Sequence, residues 1–79
     1  MRVKLFGIAR EIVGSAELSL PEEIEVKDVK EFKEWLFKNY PKFSHLKSLA
    51  VAVNQEYAED HELLDQNAEI ALIPPVSGG

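Results

Sequence analysis

The stretch from Asp28 to Pro41 reads as the one long helix of this chain, and 79 residues leave room for a single core built around it. Asp28 is a helix-capping residue, and Glu31 three positions later completes a capping box. Val29, Phe32, Leu36 and Tyr40 follow at spacings of three and four, which puts them on one face. Trp35 and Phe37 flank that stripe on opposite sides. Lys30, Glu34 and Lys38 form an i,i+4 ladder on the face away from it. Pro41 disfavours helical geometry at Tyr40 and ends the helix. Burial against a sheet explains such an aromatic stripe fully, with no cofactor to invoke.

The rest of the chain supplies that sheet. Val3 and Leu5 alternate with Arg2, Lys4 and Phe6, the pattern of a half-buried strand. Phe6 breaks it, because it falls on the lysine side. Either Gly7 permits a bulge that turns Phe6 inward, or Phe6 is an exposed aromatic of a partner interface, where aromatics are enriched. Ile8 to Val13 has the i,i+4 spacing of one or two helical turns, with Gly14 as the left-handed residue that stops them. Glu17 to Leu20 alternates again, with Leu18 and Leu20 inward, and reads as the hairpin partner of the first strand. Lys42 to Ser48 reads as a loop. Leu49 to Val53 is apolar on both faces, as an internal strand is. Asn54 begins a turn, and Tyr57–Ala58 is a very short strand after it. Residues 59–68 are acidic and irregular, with Leu63 and Leu64 as apolar anchors. Glu69 to Ile73 is the last strand. The predicted core is Val3, Leu5, Leu18, Leu20, Val29, Phe32, Leu36, Val51, Val53, Ile70 and Leu72.

One main helix on one face of a mixed sheet is an α+β architecture. Residues 1–73 form the domain, and 74–79 form a C-terminal tail of the same single unit. The formal net charge is −5, from 14 acidic and 9 basic residues. That disfavours nucleic acid and anionic membranes as partners, since both call for a positive footprint. No apolar run reaches the length of a membrane span, and no signal-peptide core opens the chain, so the expected address is cytoplasmic. With no cysteine there is no disulfide, thiolate metal site or thiol nucleophile. A domain this small cannot easily hold a deep pocket as well as a core, which argues against a self-sufficient enzyme.

The conventional chemical motifs are absent. Neither glycine-rich nucleotide cradle occurs. His45 and His61 stand sixteen apart without metal-site spacing, so no metal is expected. The carboxylates Glu56, Glu59, Asp60, Glu62 and Asp65 lack the spacing and the glycine of an EF-hand loop. What remains is Pro74-Pro75-Val76-Ser77-Gly78-Gly79. The prolines cannot continue a ladder, so the last strand stops near Ile73 and the tail leaves stiffly at its root. Gly78 and Gly79 are the thinnest backbone that can thread a channel. By elimination the best reactive group is the carboxylate of Gly79. It is a poor electrophile at neutral pH, with a pKa of about 3.5, and becomes useful only once another protein converts it to an acyl derivative. A lysine amine or an activated sulfur could then attack it.

These stretches together resemble the small subunits of molybdopterin synthase, the MoaD-like branch of the ubiquitin-like sulfur carriers. The likeness runs through Leu5-Phe6-Gly7-Ile8-Ala9-Arg10-Glu11-Ile12-Val13-Gly14, the helix from Asp28, Val51-Ala52-Val53-Asn54, and Glu69 to Gly79. It covers the whole chain, and the tail is its most specific part. One departure stands before the last strand, where Asp65-Gln66-Asn67-Ala68 replaces the family's usual Asp-Gly-Asp and leaves the turn type open. The resemblance implies a β-grasp fold with the first and last strands parallel at the sheet centre. It implies that a ubiquitin-activating-type partner adenylates Gly79 with ATP, and that the carboxylate becomes a thiocarboxylate. The tail then enters the large synthase subunit and gives its sulfur to a cyclic pterin precursor, for molybdenum or tungsten cofactor. No cofactor is bound by this chain itself. Partners are expected to grip the face around Phe6 and the tail from Pro75 and Val76 through Ser77 and Gly78, because the thread alone buries too little area. Two alternatives share the tail: a sulfur carrier for thiazole synthesis or tRNA thiolation, and a ubiquitin-like modifier joined to lysines.

Overall fold

The computed structural model describes residues 1–46 and 48–74. Its elements are β1 (Arg2–Leu5), α1 (Ile8–Val13), β2 (Glu17–Ser19), α2 (Val29–Asn39), a 3₁₀ turn (Pro41–His45), β3 (Ala50–Val53), β4 (Glu56–Ala58) and β5 (Ile70–Ile73). The sheet runs in the order β2-β1-β5-β3-β4. β1 and β5 are parallel, in the register Val3↔Ile70, Lys4↔Ala71, Leu5↔Leu72. The other neighbours are antiparallel. The expected α+β architecture and the central parallel pair are both present.

Period-two alternation decides what each strand buries. Val3, Leu5, Leu18, Val51, Ile70 and Leu72 point to the face that α2 covers, and Val29, Phe32 and Leu36 meet them from the helix. Ten of the eleven expected core residues are buried, and Val53 is half-buried at the rim of the cluster. Three others join that cluster, Ala9, Phe43 and Ala68, while Ala52 is buried on the opposite face of the sheet. Phe43 corrects the reading of 42–48 as a plain loop. Pro41 starts a 3₁₀ turn there, which swings Phe43 into the core, edge-on to Tyr40 at 6.3 Å.

The start of α2 follows its sequence signal with one change. Asp28 Oδ1 accepts from the Glu31 amide at 2.8 Å, but the Glu31 carboxylate accepts from the amide of Lys27 and not from that of Asp28. The chain enters this helix through a strand-like bridge between Asp28 and Leu63. Flanking it, the Val29 amide donates to Glu62 O and the Leu64 amide to Lys27 O. In that extended pairing Leu63 and Leu64 point opposite ways. Leu64 packs on the core, whereas Leu63 is 80% exposed and anchors nothing. The expected Lys30–Glu34–Lys38 ladder forms no ion pair among the described residues. Lys33 pairs instead with Asp60 at 2.8 Å, and holding exposed side chains in line along a helix gains too little to compete.

Both turns whose type the sequence leaves unspecified are defined here. Asn54 and Gln55 have φ of 52° and 71°, the two left-handed positions of the tight hairpin joining β3 to β4. Before β5, the Ala68 amide donates to Asp65 O and the Asn67 amide to Asp65 Oδ1. Neither Gln66 nor Asn67 has a positive φ, so this turn has no need of glycine.

Candidate functional site

α2 covers one face of the sheet and leaves the other open, and the register identifies what stands on it. One row crosses from Glu17 through Lys4, Ala71 and Ala52 to Tyr57. Beside it Ala50 pairs with Ile73. Phe6 comes two residues after Lys4 and continues on the same face. The open face is therefore floored by alanines and Ile73, with two aromatic side chains raised over it. Phe6 is 50% exposed and Tyr57 is 72% exposed. Such apolar exposure on a sheet face is a feature of surfaces that meet a partner.

Of the two readings of Phe6, the structure takes the exposed one. No bulge turns it inward. β1 ends at Leu5, Gly7 adopts φ 54° and ψ −131°, and α1 begins at once, with the Ala9 amide donating to Phe6 O at 3.0 Å. Gly14 closes α1 in the left-handed region, its amide donating to Arg10 O.

The parallel pairing then fixes where the tail departs. Leu5 is level with Leu72, so Gly7 is level with Pro74. A Cβ on residue 7 would lie 3.4 Å from Pro74 Cγ. The last described residue of the chain thus sits beside the Phe6–Gly7 corner, at the rim of the open face. Pro75, Val76, Ser77, Gly78 and Gly79 lie outside the described residues. Lys4, further along the same face, is held to Glu69 at 2.8 Å. The hydrogen bond and charge of Glu69, with a smaller effect of Glu17, raise its pKa above the usual lysine value.

Among the described residues no polar or charged side chain is buried, so the interior serves packing alone. Nor do three or more of His, Asp or Glu gather there as metal ligands, and His61 meets only Glu59, at 3.5 Å. Sequence reasoning missed three parts of the site: Tyr57, Ile73 and the contact of Gly7 with Pro74. Only Tyr57 left a signal, since its alternation after the Asn54 turn predicts which face it takes. The other two depend on the β1–β5 register.

Residues 3–79 match the ThiS family. The chain belongs to that family. This ThiS-family chain is 39% identical over 84 residues to the molybdopterin synthase sulfur carrier subunit of Caenorhabditis elegans, covering 100% of this chain and 96% of that protein. Among solved structures, the small archaeal modifier protein 1 of Methanosarcina acetivorans superposes with a TM-score of 0.77 at 29% identity, covering 99% of this chain and 94% of that one. A chain in the complex of subunits 1 and 2 of the molybdopterin-converting factor of Helicobacter pylori superposes with a TM-score of 0.65 at 25% identity, covering 99% and 96%. The architecture of this ThiS-family chain is the ubiquitin-like β-grasp fold.

Proposed function

We propose that this ThiS-family chain is the sulfur-carrying small subunit of a molybdopterin synthase, with Gly79 as the residue that bears the sulfur. The observation that carries this reading is the placement of Pro74. Parallel pairing of β1 with β5 launches the tail from the rim of an open apolar face, beside exposed Phe6. A partner that docks on that face receives the tail at a fixed origin. The similarity to the C. elegans sulfur carrier subunit supports the same assignment.

The chemistry needs two partners, because the terminal carboxylate is a poor electrophile until another protein activates it, and the sulfur it then carries has to be accepted elsewhere. An adenylating enzyme of the ubiquitin-activating type joins the Gly79 carboxylate to ATP, releasing pyrophosphate and leaving an acyl-adenylate. A sulfide-equivalent donor displaces AMP and leaves a thiocarboxylate. The large subunit then accepts the tail, and the thiocarboxylate sulfur attacks a carbon of the pterin precursor, forming a carbon–sulfur bond as an oxygen substituent leaves that carbon. Hydrolysis of the remaining acyl bond returns the carboxylate. The similarity to one chain of the H. pylori complex supports a large-subunit partner. On this reading residues 1–73 are the docking head, 74–79 the delivery thread, and ATP is consumed by the partner in the cytoplasm without this chain binding a cofactor.

The test is the intact mass of the chain after incubation with the activating enzyme, ATP and a sulfur donor. A mass increase of one sulfur-for-oxygen exchange, lost on adding large subunit and pterin precursor, is the expected result. An unchanged mass with active partners overturns the assignment. The likeness to the M. acetivorans modifier protein favours a second reading, conjugation to lysines. Covalent ladders bearing this chain in extract of its host would favour that reading over the carrier.

A further inference from the structure

We propose that the groove between residues 21–27 and 64–67 is a second docking site, one that takes a basic peptide segment carrying a large apolar side chain. The groove measures about 640 Å³, a size at which protein surfaces hold ligands. Its floor is Met1, Val26 and Leu64, half-buried side chains that pack on the core from outside. Ile24 also lines it and is 37% exposed. Neither wall belongs to a helix or to the sheet, yet both are tied. The Ile24 amide donates to Pro21 O at 3.0 Å, and the Leu64 amide to Lys27 O at 2.8 Å. The opposite wall is held by its turn, with the Ala68 amide donating to Asp65 O at 2.9 Å.

The rim selects the occupant. Glu22 and Glu25 line the groove, with Glu23 between them in the chain, and Asp65 stands between the lining residues Leu64 and Gln66. Lys27 is the one cationic side chain of the rim. All five are exposed, and none forms an ion pair among the described residues. Four carboxylate side chains against one ammonium attract a basic segment and repel an acidic one. A second copy of this chain, with its formal charge of −5, is repelled by the same field. Residues 74–79 contain no cationic side chain, so the chain's own tail is a poor occupant too. The groove also stands apart from the open face. Met1 and Asn67 line it at the start of the parallel pair β1 and β5, whereas Phe6 and Pro74 follow the far ends of those strands. Five residues of strand between Met1 and Phe6 span about 16 Å. A partner seated in the groove thus leaves Phe6 uncovered. Such a groove buries less area than a full protein interface, so a short segment should bind weakly and reversibly.

The probe is the amidated peptide Arg-Lys-Leu-Phe-Arg-Lys, titrated into the isotope-labelled chain and followed by amide chemical shifts. Shifts should centre on residues 21–27 and 64–68, with a Kd below about 1 mM at low salt. The peptide Glu-Asp-Leu-Phe-Glu-Asp should bind at least about tenfold more weakly. The double variant Glu22→Lys, Glu25→Lys should weaken the basic peptide about tenfold, and Ile24→Ser at least about threefold. The control is Glu11→Lys, Glu34→Lys, which changes the net charge equally on exposed faces of α1 and α2 outside the groove. It should cost less than about twofold, because solvent ions screen distant charges. If Ile24→Ser loses stability, the charge variants decide, since Glu22 and Glu25 are exposed. Equal losses from the two charge reversals would reduce the effect to net charge and overturn the proposal. So would the absence of shifts at millimolar peptide, shifts centred on Phe6 and Ala71, or equal binding of the acidic peptide. Concentration-dependent shifts of the groove without peptide would overturn it as well, by making a second copy the occupant. None of these measurements involves Gly79, so the carrier reading stands or falls separately.

Discussion

Phe6 and Phe32 are the same side chain in opposite settings, and their substitutions should separate docking from folding. Phe32 is fully buried between α2 and the sheet. Removing it leaves a cavity that a small core cannot close, so Phe32→Ala should cost about 3–5 kcal/mol in urea denaturation. That is most of the stability of a domain this size. Phe6 is half exposed, and Phe6→Lys should change stability by no more than about 0.5 kcal/mol. It should weaken binding to the large subunit at least tenfold in titration calorimetry, by placing a hydrated ammonium where a partner expects an aromatic anchor. Unchanged affinity would remove Phe6 from the interface. The buried role of Phe32 is legible in sequence because a helix repeats its pattern every three or four residues. Phe43 carries no such signal. It stands between Lys42 and Ser44 in a segment with no period, and only its neighbour Pro41 and the fold around it turn it inward. Leu63 misleads for the converse reason, since two adjacent leucines cannot reveal which of them an extended segment will bury.

At the scale of elements, the β3–β4 hairpin and the tether of the acidic loop make separate predictions. Asn54 and Gln55 both have positive φ, but they are not equivalent. Asn54 donates its amide to Glu69 O at 2.8 Å and accepts from the Glu69 amide at its Oδ1, so it ties the hairpin to the start of β5. Gln55 makes no such tie among the described residues, and a left-handed backbone costs it more than it would cost glycine. Gln55→Gly should therefore raise stability by about 0.5–1 kcal/mol, and Asn54→Ala should lower it by about 1–2 kcal/mol, both by chemical denaturation. Equal effects of one sign would refute this division of roles. The tether is the Lys33–Asp60 pair between α2 and the acidic loop. The hydrogen bond and charge of Lys33 hold the Asp60 carboxyl below the usual carboxylate range. A pKa lowered on folding favours the folded state above the unfolded value, and that contribution is lost as pH falls through the folded one. The difference in melting temperature between the wild type and Asp60→Asn should thus be small at neutral pH and shrink to nothing in acid, as read by calorimetry across pH. The spacing of the acidic residues shows a charged loop, but it cannot show which lysine will meet it, because Lys33 and Asp60 are brought together by long-range backbone pairing of this loop with the start of α2, where the Lys30 amide donates to Asp60 O at 3.0 Å beside the bridge at Leu63.

For the whole molecule, what matters is that two strands distant in sequence lie side by side at the centre of the sheet. The element order was readable residue by residue, but nothing in β1 or β5 taken alone says that they pair, or that they run parallel. That followed from resemblance, and the register Leu5↔Leu72 gives it consequences. Every buried apolar residue among those described lies between Val3 and Leu72. Changes at Gly79 should then leave stability alone, within about 0.5 kcal/mol. On the carrier reading all the chemistry of this protein converges on one carbonyl carbon, that of Gly79. Gly79 has to be accepted by two different active sites, one that adenylates it and one that takes its sulfur. A Cβ there meets walls shaped for bare backbone, and one residue fewer or more moves the reactive carbon by about 3.5 Å. That is several times the misplacement that already costs a hundredfold. Deleting Gly79, changing it to Val, or appending one alanine should each abolish pterin-product formation with activating enzyme, ATP, sulfur donor and large subunit supplied, while thermal melting stays superimposable on the wild type. Full activity in the Gly79 deletion would sink the assignment of sulfur to the terminus. A lowered melting temperature would show instead that the tail helps hold the head together.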